Sequence, residues 1–234
     1  MSVTPFYTDF SEFTTGTFLP KTGWESGDAN KNLWQIYNSG GYAVLYCGLS
    51  ADTIVRDSGE ENHRVKARLK TSTSSNNSIS GVCARWVDAT HYATLELVRH
   101  NGGIGGVAEP ENKYSIAIRN GIGHYETVVP ADIQWETFYD VELQMIGPRI
   151  LCFVDGDVVL DKIMNSTEQA AIAGGTKCGP INFAGNANFD SLEITDPTAV
   201  AWSHWTGSIE EPLSMPMIWN GTAEVPVGGV EITT

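Results

Sequence analysis

The sequence predicts an all-β protein: an antiparallel β-sandwich or jelly roll followed by a short C-terminal extension. Three observations predict it. Roughly ten short segments of strand character are separated by turn signals. No long amphipathic helix pattern occurs anywhere in the 234 residues. The stretch Gln134–Lys162 reads as strand, tight turn, strand, tight turn, strand.

In that stretch Val141, Leu143 and Met145 alternate with Glu142 and Gln144, the period of a half-buried strand. Gly147-Pro148 breaks the run, and Ile150 to Val154 follows as a second apolar run. Asp155-Gly156 is a strong two-residue hairpin signal, and Val158 to Leu160 returns as the third strand. Val141, Leu143, Met145, Leu151 and Phe153 are the expected core residues here.

The remaining elements follow in order. Phe6, Phe10 and Phe13 around Asp9 suggest a first edge strand, and residues 21–32 a polar loop. Leu33–Tyr37 and Tyr42–Leu49 suggest a hairpin, and residues 50–60 a second polar loop. From His63 to Ser72, Val65, Ala67 and Leu69 alternate with Arg64, Lys66, Arg68 and Lys70. That face is either an anion- or sugar-facing stripe or a solvated face paired with acids such as Glu96 or Glu142. Ile79–Trp86 and His91–Arg99 pair across Asp88-Ala89-Thr90. The glycines of 101–106 lack a following helix, which argues against a phosphate loop. Tyr114–Arg119 and His124–Val129 pair around Asn120-Gly121. Ser166–Ile172 is the one short helix, closed by Gly174-Gly175. Gly179–Ala184 and Asn188–Ile194 are the last strands of a domain spanning 1–197. Asp196-Pro197 marks its boundary. Residues 198–234 are rich in Trp, Pro and Met and too short for a core of their own, which suggests packing on the domain or on a partner.

Composition excludes several classes. Net charge is −14, which argues against nucleic acid and anionic membranes. No apolar stretch approaches a membrane span, and MSVTPFYTDF lacks the features of a signal peptide. The expectation is synthesis in a cytoplasm without export by that route. Cys47, Cys83, Cys152 and Cys178 are far apart, form no CxxC pair, and read as small buried hydrophobes rather than zinc ligands or disulfides. No cofactor motif is legible.

Four blocks, in order over about residues 5–197, resemble the concanavalin A-like (laminin-G-like, lectin and glucanase) β-sandwich. They are Tyr7-Thr8-Asp9-Phe10; Gly81 through Asp88 with Thr90-His91-Tyr92; Trp135 through Asp155-Gly156; and Gly179-Pro180-Ile181 with Phe189-Asp190. The resemblance implies lectins, glucan hydrolases or non-enzymatic recognition domains. Hydrolases of this fold carry two glutamates on one strand, spaced E-x-D-x-x-E or E-x-x-x-E. No such motif lies on a strand predicted here, so a non-enzymatic protein is expected, with a carbohydrate-binding module or glycoside hydrolase as the alternative. Related sandwiches often bind calcium, for which Asp9 and Asp190 are the candidates. Met217 to Pro226, MIWNGTAEVP, resembles an ending found in phage tail and other virion proteins. That resemblance implies a virion location, as a tail-associated or capsid-decoration protein, with other virion subunits or further copies of the chain as partners and surface glycans as ligand.

Glycan binding asks for an aromatic platform with polar groups on a sheet face or rim loops. The candidates are Arg85, Tyr92, Glu96, Arg119, Trp24, His91 and His124. The structural alternative for Arg85 is an ion pair with Glu96, and for Trp135 a place in the core. Trp202, Trp205, Met215, Met217 and Trp219 are the candidates for partner contact.

Overall fold

The computed structural model describes residues 2–19, 22–27, 34–39, 42–47, 52–71, 77–100 and 112–197, together with the backbone of four short strands between 203 and 226. In chain order the strands are β1 Phe6–Thr8, β2 Phe18–Leu19, β3 Glu25–Ser26, β4 Trp34–Ser39, β5 Tyr42–Cys47, β6 Asp52–Asp57, β7 Arg64–Thr71, β8 Asn77–Asp88, β9 His91–His100 and β10 Asn112–Asn120. They continue as β11 His124–Pro130, β12 Phe138–Ile146, β13 Arg149–Val154 and β14 Asp157–Ile163, then helix α1 Ser166–Ala171, β15 Lys177–Ala184 and β16 Ala187–Thr195. The extension carries β17 Ser203–Trp205, β18 Glu210–Pro212, β19 Met217–Trp219 and β20 Glu224–Pro226.

Among the described residues these strands make two large antiparallel sheets. The nine-stranded sheet runs β14-β13-β12-β7-β16-β5-β4-β2, with β1 also paired to β16. The seven-stranded sheet runs β11-β10-β9-β8-β15-β6-β3. The sheets face each other through their apolar sides. Val65, Ala67 and Leu69 of β7, Val141, Leu143 and Met145 of β12, and Phe189, Leu192 and Ile194 of β16 meet Val82, Ala84, Leu95, Leu97, Ile116 and Ile118 from the other sheet. Each fully buried aliphatic side chain of this kind contributes roughly 1.5–3 kcal/mol. The sandwich expected from the turn spacing is the fold observed.

Local chemistry explains the joints. Asp155 and Gly156 both take positive φ (52° and 90°), and Val154 pairs with Asp157 across them, a two-residue turn whose twist suits a hairpin. The helix is set by Asn165, whose side chain accepts from the backbone of Thr167 and Glu168 while the Glu168 carboxylate returns to the Asn165 N–H. That closes a capping box.

Four expectations need correction. Residues 52–57, expected in a loop, form β6, because Ile54 and Val55 are buried and β15 pairs with it. Residues 21–32 contain β3, which pairs with β6. Trp135 lies in a turn ahead of β12; it is half-buried, with the Arg99 guanidinium 4.3 Å over its ring, and is not in the core. In β13 the inward residues are Ile150, Cys152 and Val154, and Phe153 is half-buried on the other side. Five consecutive apolar residues offer no alternation to read, so only the pairing of Leu143 with Cys152 sets the parity.

The basic stripe of β7 is neutralised in place. Arg64 bonds Glu142 at 2.8 Å and Glu193 at 2.9 Å, Lys66 meets Asp140 at 3.0 Å, and Lys70 meets Glu136 at 2.8 Å. Its partners lie on β12, the turn before it and β16; Glu96, also expected as a partner, lies on the opposite sheet. All four cysteines are buried and free. Burial pushes the thiols of Cys83, Cys152 and Cys178 above their ordinary range, so they behave as hydrophobes. No helix among the described residues is long and apolar enough to cross a membrane.

Candidate functional site

Two regions hold the candidate chemistry. The first is the outward face of the seven-stranded sheet, where β9 and β10 place Tyr92, Thr94, Glu96 and Arg119 together. The Glu96 carboxylate accepts from Thr94 Oγ1 at 2.8 Å and from Arg119 Nη2 at 3.3 Å. Burial raises the Glu96 pKa, and the Glu126 charge adds to it, while Arg119 and Thr94 oppose it. On the neighbouring strand Glu126 accepts from Ser115 at 2.8 Å and faces Lys113 at 3.1 Å. Its pKa is lowered: burial is the largest influence and acts upward, but these two partners outweigh it. Arg119 lies 4.3 Å over the Phe183 ring and 5.6 Å over Tyr92. Val55, Cys83, Trp86, Tyr92 and Ile181 form an apolar cluster on this face.

The other sequence candidates lie apart from this group. Trp24 is buried, edge-on to Phe6 at 5.6 Å, with Arg56 against both rings. Arg85 is buried and does not pair with Glu96. It donates to the Glu61 carbonyl at 3.0 Å, Asn62 Oδ1 at 2.8 Å and the Gly147 carbonyl at 2.6 Å. His91 sits at the hairpin end against Asp88, 2.9 Å from both carboxylate oxygens. His124 is exposed and pairs with Arg119 across β10 and β11. Tyr92, Glu96 and Arg119 therefore meet, His124 flanks them, and Trp24 and Arg85 are buried apart from them. Trp205, Met217 and Trp219 lie in β17 and β19, of which the backbone alone is described. Trp202, Met215, the glycine loop 101–106 and the terminal VGGVEITT lie outside the described residues.

The second region is an open cleft of about 800 Å³ against the outward side of β1, β16, β7 and β4. Tyr7, Asp9, Arg68, Asp190, Asn38 and Ser11 supply its polar and aromatic groups, and Phe13, Thr15, Ala43 and Ser191 complete it. The strand pairing makes the site. Tyr7 alternates outward from β1 opposite Glu193 of β16, and its side is 65% exposed. Asp190 is the extra residue of a bulge where β16 passes β7 between Phe189 and Ser191. Arg68 Nε stands 3.4 Å from Asp190 Oδ2, a second Arg68 nitrogen 3.8 Å from Asp140, and the guanidinium 5.2 Å over Phe138. Asp9 accepts from both the N–H and the hydroxyl of Ser11, which lowers its pKa.

Asp9, which follows β1, and Asp190 of β16, the two calcium candidates, both line this cleft. The cation beside Asp190 is Arg68, however, and the described residues hold no group of three or more His, Cys, Asp or Glu able to bind a metal. The sequence does not single out Tyr7, Ser11 or Asn38 as site residues, and it marks Arg68 only as one member of the basic stripe of β7. The signal available was Tyr7, which sits at the outward parity of a strand whose neighbours Phe6 and Thr8 point inward.

No family model matches the sequence, and no curated protein sequence does. Solved structures do match in three dimensions. The GH43 BlXynB protein from Bacillus licheniformis aligns at TM-score 0.57 and 13% identity, over 82% of this chain and 39% of that one. The chain thus spans under half the length of that protein. The Bacteroides ovatus mixed linkage glucan PUL GH16 aligns at 0.51 and 13%, over 81% and 99%. The CBM2 module of the evolved Dit of Lactobacillus casei BL23 phage J-1 aligns at 0.52 and 11%, over 86% and 100%. The fold is a concanavalin A-like sandwich. At these identities the likeness concerns the fold alone.

Proposed function

We propose that this chain is a non-catalytic, glycan-binding sandwich domain of a phage particle, and that the sugar lies in the Tyr7–Asp9–Arg68–Asp190 cleft. The observation that carries the reading is the combination in that cleft: an exposed tyrosine ring beside two carboxylates, a guanidinium, an amide and hydroxyls. A pyranose offers a C–H face for the ring and vicinal hydroxyls for the planar polar groups. Arg68, held between Asp140 and Asp190 and stacked on Phe138, is already positioned to donate. The phage part rests on the MIWNGTAEVP ending and on the sandwich shared with a phage Dit module.

A glycan array tests it. The full chain is expected to give selective signals, and Tyr7→Ala to weaken them about tenfold or more with the melting temperature unchanged. A blank array, or binding indifferent to Tyr7→Ala, would sink this reading.

A second reading is glycoside hydrolysis on the other sheet. Its supporting observation is that two acidic groups on one face, Glu96 and Glu126, are shifted in opposite directions. Arg119 bonded to Glu96 opposes an acid role, so this reading stands second. Under the binding reading, no reducing sugar is released above background from any array-positive glycan. Turnover abolished by Glu96→Gln would reverse the order of the two.

A further inference from the structure

The C-terminal extension repeats itself. Residues 203–212, SHWTGSIEEP, and 217–226, MIWNGTAEVP, align without a gap at an offset of 14 residues (203 to 217). Trp205 and Trp219, Gly207 and Gly221, Glu210 and Glu224, and Pro212 and Pro226 coincide. The backbone repeats with the sequence. Trp205 pairs with Glu210 and Ser203 with Pro212; Trp219 pairs with Glu224 and Met217 with Pro226. Directly opposed residues share a face and neighbours along a strand alternate. Trp, Glu and Pro therefore occupy one face of each hairpin, the same face in both. The other face carries His204 and Glu211 in the first copy and Ile218 and Val225 in the second, so only one face is duplicated.

The strands begin every seven residues, at 203, 210, 217 and 224, with four residues between successive strands. Among the described residues, pairing spans the first and third of these connections: β17-β18 and β19-β20 are separate two-stranded sheets. A lone hairpin is marginal in water at best, and three-residue strands make it weaker. Its edges leave N–H and C=O groups open to another strand. Two equivalent hairpins make that strand available without a second kind of protein, because any edge that fits one copy fits the other.

We infer that the strands completing these hairpins come from other copies of this chain, so that residues 203–226 join chain to chain through edges bearing the repeated Trp-Glu-Pro face. Where a Glu-bearing strand (β18 or β20) meets a Trp-bearing strand (β17 or β19) of the next chain, Trp and Glu alternate from strand to strand. Glu210 and Glu224 are then never directly opposed, which lets an acidic chain associate.

Sedimentation of the full chain over a dilution series, with light scattering for mass, tests this. The parent is expected at an integral multiple of the single-chain mass. Trp205→Ala and Trp219→Ala should each weaken association on the order of 10-fold or more, and the double variant should run as a single chain. Glu211→Ala, on the face that is not duplicated, should associate like the parent. The sandwich melting temperature should be unchanged in all four, which separates lost association from lost folding. A parent of single-chain mass at every concentration overturns the inference, as do Trp variants that associate like the parent or a Glu211→Ala that dissociates.

Discussion

Lowering the pH from 6.5 to about 4 is expected to remove about 3 kcal/mol of folding stability through His63 alone. The ring is fully buried. Nδ1 is 2.8 Å from the Glu60 carbonyl and 3.1 Å from the Ser58 hydroxyl, and Nε2 accepts from the Arg85 backbone N–H at 3.3 Å. The neutral tautomer with its proton on Nδ1 satisfies all of these contacts. Protonating Nε2 would place a charge in a dry site and set two donors face to face. Burial is the main cause of the depressed pKa of about 4; the nearby Arg85 charge adds to it, and the Glu60 carbonyl and Asp57 oppose it. Above pH 6.5 neither the folded nor the unfolded state protonates this ring, and the contribution is complete. Between 6.5 and 4 the unfolded chain takes up the proton and the folded chain does not, so stability falls as pH falls. Below 4 both states are protonated and the slope ends. Urea melts at several pH values for the parent and for His63→Gln check this. The parent should lose about 3 kcal/mol more than the variant across that window; parallel curves would show that His63 is not the group responsible.

Arg85→Met should cost about 3 kcal/mol, or about 10 °C in melting temperature for a chain of this size, without altering glycan binding. The guanidinium crosses between loops. It ties the Glu61 carbonyl, Asn62 Oδ1 and the Gly147 carbonyl, and so joins the segment before β7 to the turn between β12 and β13. Removing it leaves buried acceptors without donors. Arg85 also takes a positive φ of 46° in an irregular part of β8, and Gly175 packs so close that a Cβ there would lie 2.2 Å from the Arg85 carbonyl. Arg85→Lys should recover little, because an ammonium cannot donate along the same fork. If Arg85→Met melts like the parent but loses glycan, the residue belongs to a binding site after all.

The strand order of Gln134–Lys162 was legible because β12 alternates cleanly and Asp155-Gly156 allows few turns. Helix α1 was legible to within one residue of its end, because Gly174-Gly175 closes a short helical run, whereas its Asn165 cap emerged only in the structure. β6 was missed because Asp52, Arg56 and Asp57 mask a two-residue apolar centre whose burial comes from β15. Arg85 was misread for a related reason. Its apparent partner Glu96 lies on the adjacent strand, but the irregular register between Ala84 and Asp88 turns the side chain away toward the loops.

Local patterns of polarity and turn chemistry thus carry the fold class, most strand positions and the core of β7 and β12, because each depends on residues within about a dozen positions of one another. The cleft is different. Tyr7 and Asp190 are separated by most of the chain and meet only because β1 pairs with β16, while a bulge brings Asp190 beside Arg68. Which polar residues are sealed and which face water is likewise a matter of long-range pairing. Glu96 is 5% exposed and Tyr7 is 65% exposed on strands of similar local pattern, and that contrast arises only when the sheets are assembled.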